Sequence, residues 1–500
     1  MNRIMKTLSK SFLPAMLLAF GAVSVIAQTG LPKPGPAPSL SMPSVKETKL
    51  KNGLTVAVVE KRNVPIVTVQ LLFPIGADAE LMEEAGLANL TASMLTKGTK
   101  TRSATQIAEE IEFLGGAINS GAGWNNSSIT VSVTSDKLDQ AMAILADVAI
   151  NPTFPQEELG LLKSQEIDGL TYNMTQPGFL SNYVASVYSL DEHPAGGTLA
   201  SLNAIGRAQV ESFYKKNFDP NGAVLIFAGD IGSRQAEQFA AKLFGDWNER
   251  PAKMSVSGSI PTETGRVYED AANLLPKRLL IIDLPDSGQA SVSYVKRSSA
   301  GRLEVDGEGR LRPNAGYYSA SVLNSLLGGG YSSRLNQEIR IKRGLSYGAG
   351  SSFAWRFGEA NFSTRTQTKN ESAPEVAEIV LAEIKRLAAE ESIPATELDP
   401  RKSVLTGGFA RSIETTGGLV NALADLYTFG IPASEMNSYM QKIEAVSDKQ
   451  IHAFAGKELF GGDLIIVGDY SVFKDDLAKS FPNAKPTVIP AAQLDITALK

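Results

Sequence analysis

The feature that most constrains the fold of this 500-residue chain is a faint internal repeat. The segment AVLIFAGD ends at Asp230, and DLIIVGD ends at Asp469, 239 residues later. Each segment is typical of a buried strand that closes in a Gly-Asp turn. A Pro-led helix start recurs at the same offset, with FPQEEL at Pro155 and IPATEL at Pro394. Matches at one offset predict two similar halves of roughly 220 residues.

Each half begins with strand-like runs and continues with helical patterns. Strands are predicted over 54–60 and 66–74 in the first half, and over 278–284 and 291–296 in the second. Apolar residues recur at helical spacing in the predicted helices, which are 104–114, 137–149, 156–170, 315–327 and 373–391. Because strands and helices mix without regular βαβ alternation, the sequence predicts an α+β fold with helices packed on mainly antiparallel sheets.

The first 27 residues have the composition of a secretory signal peptide. Arg3, Lys6 and Lys10 form a positive start, and a mostly apolar run with a small-residue cleavage site follows. The alternative is an uncleaved anchor, but the apolar run is shorter than the roughly 20 residues that a membrane span needs. We therefore expect an exported protein without an integral membrane segment after cleavage, periplasmic if the cell is a Gram-negative bacterium.

Composition also sets the expected domain boundaries. Residues 28–45 are rich in Pro, Gly and Ser, and the polar stretch 248–269 contains several further Pro and Gly residues. The predicted organisation is a signal peptide at 1–27, a leader at 28–45, a first half at 46–250, a linker at 251–268, a second half at 269–480 and a tail at 481–500.

The residue counts limit the chemistry of the chain. It has no cysteine, which excludes disulfides and thiolate–metal sites. Its two histidines, His193 and His452, have no second histidine at ligand spacing and are expected to be structural or surface residues. The net charge of −5 is spread along the chain without a basic stripe, which argues against a nucleic-acid partner. No metal is expected in this chain.

The segment 86–99, GLANLTASMLTKGT, predicts a helix with three inward positions suited to a metal site. Asn89 and Ser93 are one turn apart on the same face, and Ala92 lies beside them. A metal site would need imidazole or carboxylate groups here. An amide, a methyl group and a hydroxyl group neither bind zinc tightly nor act as a general base at neutral pH.

These features resemble the pitrilysin-like zinc peptidases, family M16, and above all its shorter, two-half branch. The resemblance covers about 46–475 and rests on KLKNGLTVAVVE, GADAE and EAGLANLTASMLTKGT in the first half and LLGGGYSSRLNQEIRIKRGLSYG in the second. It implies a clam-like chamber between the halves. The inverted zinc motif His-x-x-Glu-His of active members falls on Asn89, Ala92 and Ser93, and the third ligand falls near Glu166 and Asp168. The chain therefore resembles a zinc-less subunit.

The resemblance also places an arginine and a tyrosine of the second half across the cavity from the zinc. They map onto Arg343 and Tyr347. The local pattern predicts a helix over 334–342, a left-handed cap at Gly344 and a strand over 345–353. Arginine and tyrosine donors suit an oxyanion or the carbonyl of a bound peptide. The alternative is a scaffold role, with Arg343 on carboxylates and Tyr347 packed in the sheet.

Two glycine-rich stretches have different interpretations. In the family, the region of 115–125 leads into an edge strand beside the active site, where substrate pairs as an added strand. Asn119 and Trp124 are thus candidate substrate contacts; the alternative is an ordinary turn and strand in which Trp124 packs. The run 328–330 lacks the P-loop ending and predicts a tight passage between helices, not a nucleotide site.

The predicted function is that of the non-zinc subunit of a heterodimeric, exported M16-type metallopeptidase. This chain is expected to be inactive alone and to contribute Arg343, Tyr347 and part of the chamber wall. Zinc and the glutamate general base are expected in the partner subunit, with a peptide or unfolded polypeptide as substrate. The alternative is a non-catalytic peptide-binding or assembly protein with the same fold.

Overall fold

The computed structural model describes residues 43–247, 276–389 and 392–499. All of them belong to one compact unit, Met42–Lys500. The predicted signal peptide, nearly all of the leader and the linker 251–268 lie outside the described residues. In the described part of the chain, no helix is long and apolar enough to cross a bilayer.

The first half is built on a six-stranded mixed sheet. Its strands are β1 (Val45–Lys49), β2 (Thr55–Glu60), β3 (Ile66–Phe73), β4 (Ala117–Ala122), β5 (Ser127–Thr134) and β6 (Val224–Gly229). They lie in the order β1-β2-β6-β3-β5-β4. Only β2 and β6 pair in parallel, so the sheet is mainly antiparallel, as predicted. The strand β4 forms one edge.

The helices of the first half pack only in part on this sheet. They are α1 (Leu87–Met94), α2 (Ala104–Phe113), α3 (Leu138–Ile150), α4 (Gln156–Asn173), α5 (Pro177–Tyr188), α6 (Leu199–Ala204), α7 (Arg207–Asn217) and α8 (Ser233–Phe244). Local signals fix their starts: α2 follows a capping box in which Ser103 and Gln106 each bond the other's backbone N–H. Helices α1, α3 and α8 pack on the same sheet.

The second half repeats this plan with a second six-stranded sheet and a small two-stranded ribbon. Its strands are β7 (Arg278–Asp283), β8 (Ala290–Ser298), β9 (Leu303–Val305), β10 (Leu311–Pro313), β11 (Ser346–Trp355), β12 (Ala360–Thr368), β13 (Asp463–Gly468) and β14 (Thr487–Pro490). The large sheet has the order β11-β12-β8-β13-β7-β14, with β9 and β10 as the ribbon. Here β11 is an edge strand, as β4 is in the first sheet.

The helices of the second half complete the repeat. They are α9 (Gly316–Leu327), α10 (Ala373–Ala389), α11 (Ala395–Ser412), α12 (Thr416–Thr428), α13 (Tyr439–Glu444), α14 (Asp448–Glu458) and α15 (Tyr470–Ser480). Helices α4 and α11 begin directly after Pro155 and Pro394, and the matched strands are β6 and β13. The α+β prediction is confirmed. Residues 481–500, predicted as a tail, include β14, which extends the second sheet beside β7.

The two halves exchange one helix each. Helix α5 of the first half packs on β8 and β13 of the second sheet, and α12 of the second half packs on β3 and β6 of the first. These helices start 239 residues apart, at the offset of the repeat. Hydroxyl hydrogen bonds secure both contacts: Ser181 to Ser293 at 3.0 Å and Thr68 to Thr416 at 2.8 Å. Each sheet is therefore covered on one face by its partner half.

Candidate functional site

The helix at the expected metal position is α1. It begins after Gly86, which has a φ of +91°, and it runs beside the edge strand β4. Asn89 and Ser93 are half-buried on one face, whereas Ala92 is fully buried in the hydrophobic core. The sequence resemblance places a general base at Ala92, where the structure has a methyl group that packs inward.

The donor set around α1 does not fit zinc. Zinc in proteins is held by imidazole, thiolate and carboxylate ligands, and neither Asn89 nor Ser93 supplies one. Glu166 is half-buried on α4, which packs against α1, and Asp168 is exposed on the same helix. Among residues 43–247, 276–389 and 392–499, no three His, Cys, Asp or Glu side chains are grouped to hold a metal ion.

A buried carboxyl group that was not predicted from the sequence holds the start of α1. Glu80 Oε2 accepts the Gly86 N–H at 3.0 Å, and Oε1 accepts the Ala88 N–H. A carboxyl group at a helix N-terminus meets unsatisfied backbone donors and the positive end of the helix dipole. Nevertheless, burial raises the pKa of Glu80 to about 8.

His193 is buried next to Glu80. Its Nδ1 lies 3.7 Å from Glu80 Oε2, and its Nε2 lies 2.9 Å from the Ala77 carbonyl oxygen. The Trp124 ring packs on the imidazole, with 4.9 Å between centroids. Ring packing and contacts of both ring nitrogens thus hold the His193 side chain within the fold.

Trp124 lies at the contact between the two halves. The guanidinium of Arg356 sits 4.7 Å from its ring centroid and donates to both carboxylate oxygens of Glu192 at 2.9 and 2.8 Å. Arg356 comes from the second half and Glu192 from the first, and both side chains are largely buried. Trp124 therefore packs against other side chains, as the alternative of an ordinary turn and strand has it. Its role as a substrate contact stays a prediction.

Asn119 lies on the edge strand β4. It is exposed and stands opposite Thr130 of β5, whereas the next residue, Ser120, is near Thr96 at the end of α1. The edge-strand interpretation of this segment is confirmed. Strand addition at this edge stays a prediction.

The helix end that carries the predicted Arg–Tyr pair has the expected cap. The segment Asn336–Lys342 is π-helical, a form that often marks functional sites. Gly344 has a φ of +64°, and its N–H donates to the Arg340 carbonyl at 3.0 Å. The Leu345 N–H donates to the Ile339 carbonyl at 2.9 Å, and β11 then begins. The left-handed cap predicted at Gly344 is confirmed.

Arg343 is held at this helix end by carboxylates. Its Nη1 donates to Glu338 Oε2 at 2.6 Å, and its Nε lies 3.6 Å from Glu375 Oε1. Hydrogen bonds from Lys342 and Arg343 lower the pKa of Glu338. Arg343 is still half-exposed, so a ligand can reach its guanidinium.

The side chain of Tyr347 is 90% exposed. It lies in a β-bulge of β11, where the pairing with β12 shifts between Ser346 and Ala349. A bulge redirects the side chains of a strand. The Arg340 guanidinium lies 4.8 Å from the Tyr347 ring centroid. Tyr347 is therefore not packed in the sheet, as the scaffold alternative requires.

Tyr347 lines a cavity of about 440 Å³ between α5 and the second sheet. Arg343 is not among the residues that line it, so the structure separates the predicted pair. The arginine in the cavity is Arg365 on β12, opposite Gly350 of β11. The sequence signal for Arg365 is the alternation of Arg365 and Gln367 with threonines along β12. In the structure Arg365 and Gln367 are exposed, and the threonines are buried.

Two family models match the chain. The model described as insulinase (peptidase family M16) matches residues 55–175, and the model described as the peptidase M16 inactive domain matches residues 204–405. This chain belongs to peptidase family M16.

Relatives within family M16 differ in their described activity. The chain is 28% identical to an uncharacterized zinc protease of Rickettsia bellii, over 68% of this chain and 77% of that protein. It is 24% identical to the non-peptidase homolog YmxG of Helicobacter pylori, over 81% of this chain and 89% of that protein. The crystal structure of a peptidase M16 inactive domain from Pseudomonas fluorescens matches with a TM-score of 0.72 and 25% identity, covering 85% of this chain and 98% of that one.

These findings place the chain in family M16, with a match to the model described as its inactive domain. The matched ranges lie in both halves of the chain. The placement of the inverted zinc motif on Asn89, Ala92 and Ser93 stays a prediction from the sequence resemblance.

Proposed function

We propose that this chain is the zinc-less subunit of an exported, heterodimeric M16 peptidase. The partner subunit would carry the intact His-x-x-Glu-His motif, the zinc ion and the glutamate general base. This chain would contribute one wall of a clam-like chamber and contacts to a bound peptide. Its matches to zinc proteases and to an M16 inactive domain are consistent with such pairing.

The observation that carries the proposal is the exposure of Tyr347 beside a cavity. A ring that is 90% exposed gains little free energy from burial, so packing in the sheet does not account for its position. The bulge, the capped helix end at Gly344 and the π-helical segment together set its position. Asn89, Ala92 and Ser93 in the first half supply no metal ligands, whereas Tyr347 in the second half is an accessible donor.

The chain's own residues would act on the peptide backbone. The Tyr347 hydroxyl can donate to a carbonyl oxygen or to the oxyanion that forms from it. Arg343, oriented by Glu338, would hold a neighbouring polar group of the peptide. The exposed edge of β4, with Asn119, offers backbone pairing to an extended segment, which suits substrates of many sequences.

The test is reconstitution with an M16 subunit that has the intact motif and is encoded beside this chain. Cleavage of a quenched fluorescent peptide is measured for the partner alone, for this chain alone and for the mixture. We expect cleavage only in the mixture. Tyr347→Phe and Arg343→Ala should each lower kcat/KM by at least about tenfold, the order expected for one lost transition-state donor.

Tyr331→Phe is the matched control. Tyr331 is also exposed, at 64%, and also lies under Arg340, with 5.1 Å from the guanidinium to the ring centroid. It should leave the rate unchanged. Unchanged rates for Tyr347→Phe and Arg343→Ala would remove both from the site. Peptide binding without any cleavage in the mixture would favour the peptide-binding or assembly role.

A further inference from the structure

The cavity beside Tyr347 has a lining rich in hydrogen-bond donors. It lies between the first turn of α5 and strands β8, β11 and β12. Besides the Tyr347 hydroxyl, the side chains of Arg365, Gln367 and Ser291 line it, and none of its lining residues is an aspartate or glutamate. Its volume of about 440 Å³ is in the range of small-ligand sites.

Arg365 gives the cavity an uncompensated positive charge. It is exposed on β12, and within residues 43–247, 276–389 and 392–499 no carboxylate lies within 4.0 Å of its guanidinium. By contrast, Arg343 is paired with Glu338 and Arg356 with Glu192. A guanidinium with five donors and no local acceptor is suited to a planar, bidentate anion.

Ser291 adds a hydroxyl group to the lining of the cavity. The residue is 3% exposed. It pairs in register with Gln367, so both side chains project from the same face of the sheet, the face on which α5 packs.

The first turn of α5 adds backbone donors to the same cavity. Gly178 and Phe179 line it, and the N-cap residue Gln176 makes no side-chain capping hydrogen bond. Since residue 177 is a proline, the N–H groups of Gly178 and Phe179 are the first available donors of the helix. They add the positive end of a 12-residue helix dipole to the charge of Arg365.

We propose that this cavity binds a carboxylate group of the peptide, held by Arg365, Ser291 and the first turn of α5. The proposal rests on the proposed function and adds a substrate class to it: peptides with an anionic group close to the segment at Tyr347. The carboxylate can come from a peptide C-terminus or from an acidic side chain, and both present the same two oxygens.

The test measures the binding of labelled peptides to the full-length purified chain by fluorescence anisotropy. Four peptides share one neutral sequence. The first has a free C-terminus and the second an amidated C-terminus. The other two are amidated and carry one internal Glu or one internal Gln. We expect at least about tenfold tighter binding of a carboxylate peptide than of its neutral match, as for one charge-assisted pair. The Glu and free C-terminus arms identify the source of the carboxylate.

Arg365→Ala should abolish the preference for carboxylate peptides without changing the affinity for the neutral peptides. Arg365→Lys should restore part of this preference. Ser291→Ala should reduce it by a smaller factor. The control is Arg234→Ala, because Arg234 is exposed on α8 outside the cavity. Equal binding of all four peptides, or a preference that survives Arg365→Ala, would overturn this proposal alone. No binding of any peptide would overturn the proposed function as well.

Discussion

The exchanged helices predict that the two halves unfold together. Leu180 of α5 and Leu419 of α12 occupy equivalent positions, 239 residues apart, and both are fully buried. Each lies on a helix that covers the other half's sheet. Truncating either leucine to alanine should therefore weaken both halves at once, although the substituted residue belongs to one of them.

The expected magnitude follows from burial. Replacing a fully buried leucine by alanine costs about 2–5 kcal/mol, so we expect about 3 kcal/mol for each variant. The two sites have separate sheet contacts, so the double variant should lose about 6 kcal/mol. Leu161→Ala is the control, because Leu161 is 57% exposed on α4 and should cost less than about 0.5 kcal/mol.

The assay is urea unfolding followed by tryptophan fluorescence in two backgrounds. One background keeps Trp355 of β11 as its single tryptophan, which reports on the second half. The other keeps the buried Trp247, which reports on the first half. Both reporters should show one coincident transition, and Leu180→Ala and Leu419→Ala should shift it equally for both. Two separate transitions, with each variant moving only one of them, would refute the cooperative role of the exchange.

Three further predictions concern the candidate site. Burial holds the folded pKa of Glu80 at about 8, above its usual 4.5, so the contribution of this group to stability is complete below about pH 4.5 and is lost as the pH rises towards 8; Glu80→Gln should abolish this part of the pH dependence, which corresponds to about 4–5 kcal/mol in urea unfolding. Arg356→Ala should cost about 3–5 kcal/mol because it leaves Glu192 buried and unpaired, and a double-mutant cycle with Glu192→Gln measures the coupling. Isothermal titration calorimetry of the purified chain with zinc should show no stoichiometric site, since Asn89, Ala92 and Ser93 supply no ligands. Tight one-to-one binding would contradict the prediction that this chain holds no zinc.

Much of the fold could be predicted from local sequence patterns. The repeat, the strands around β6 and β13, and the helix starts after Pro155 and Pro394 depend on residues close together in sequence. The cap at Gly344 followed for the same reason, because a left-handed position after a helix favours glycine. These features need no knowledge of the tertiary contacts.

The helix exchange could not be predicted in this way. The apolar stripes of α5 and α12 show that each helix is buried but not on which sheet. Packing of the helix on either sheet would bury the same apolar stripe. The choice depends on the path of the chain between the halves, which periodicity does not encode.

The site was predicted in part, for a similar reason. Tyr347 was identified from the sequence, but its cavity neighbour Arg365 comes from another strand, and strand alternation gives a face without showing what covers it. Glu80 and His193 are 113 residues apart and meet only through the folded turn before α1. Contacts of this range depend on the complete fold.

The exchange also sets an order for folding during synthesis. The last strand of the first sheet ends at Gly229, but the helix that covers the sheet's second face begins at Thr416. The ribosome must add nearly two hundred residues before that face can be covered. The apolar surface of a nascent first half therefore stays open to water and to other chains, and the protein needs protection from aggregation until α12 has emerged.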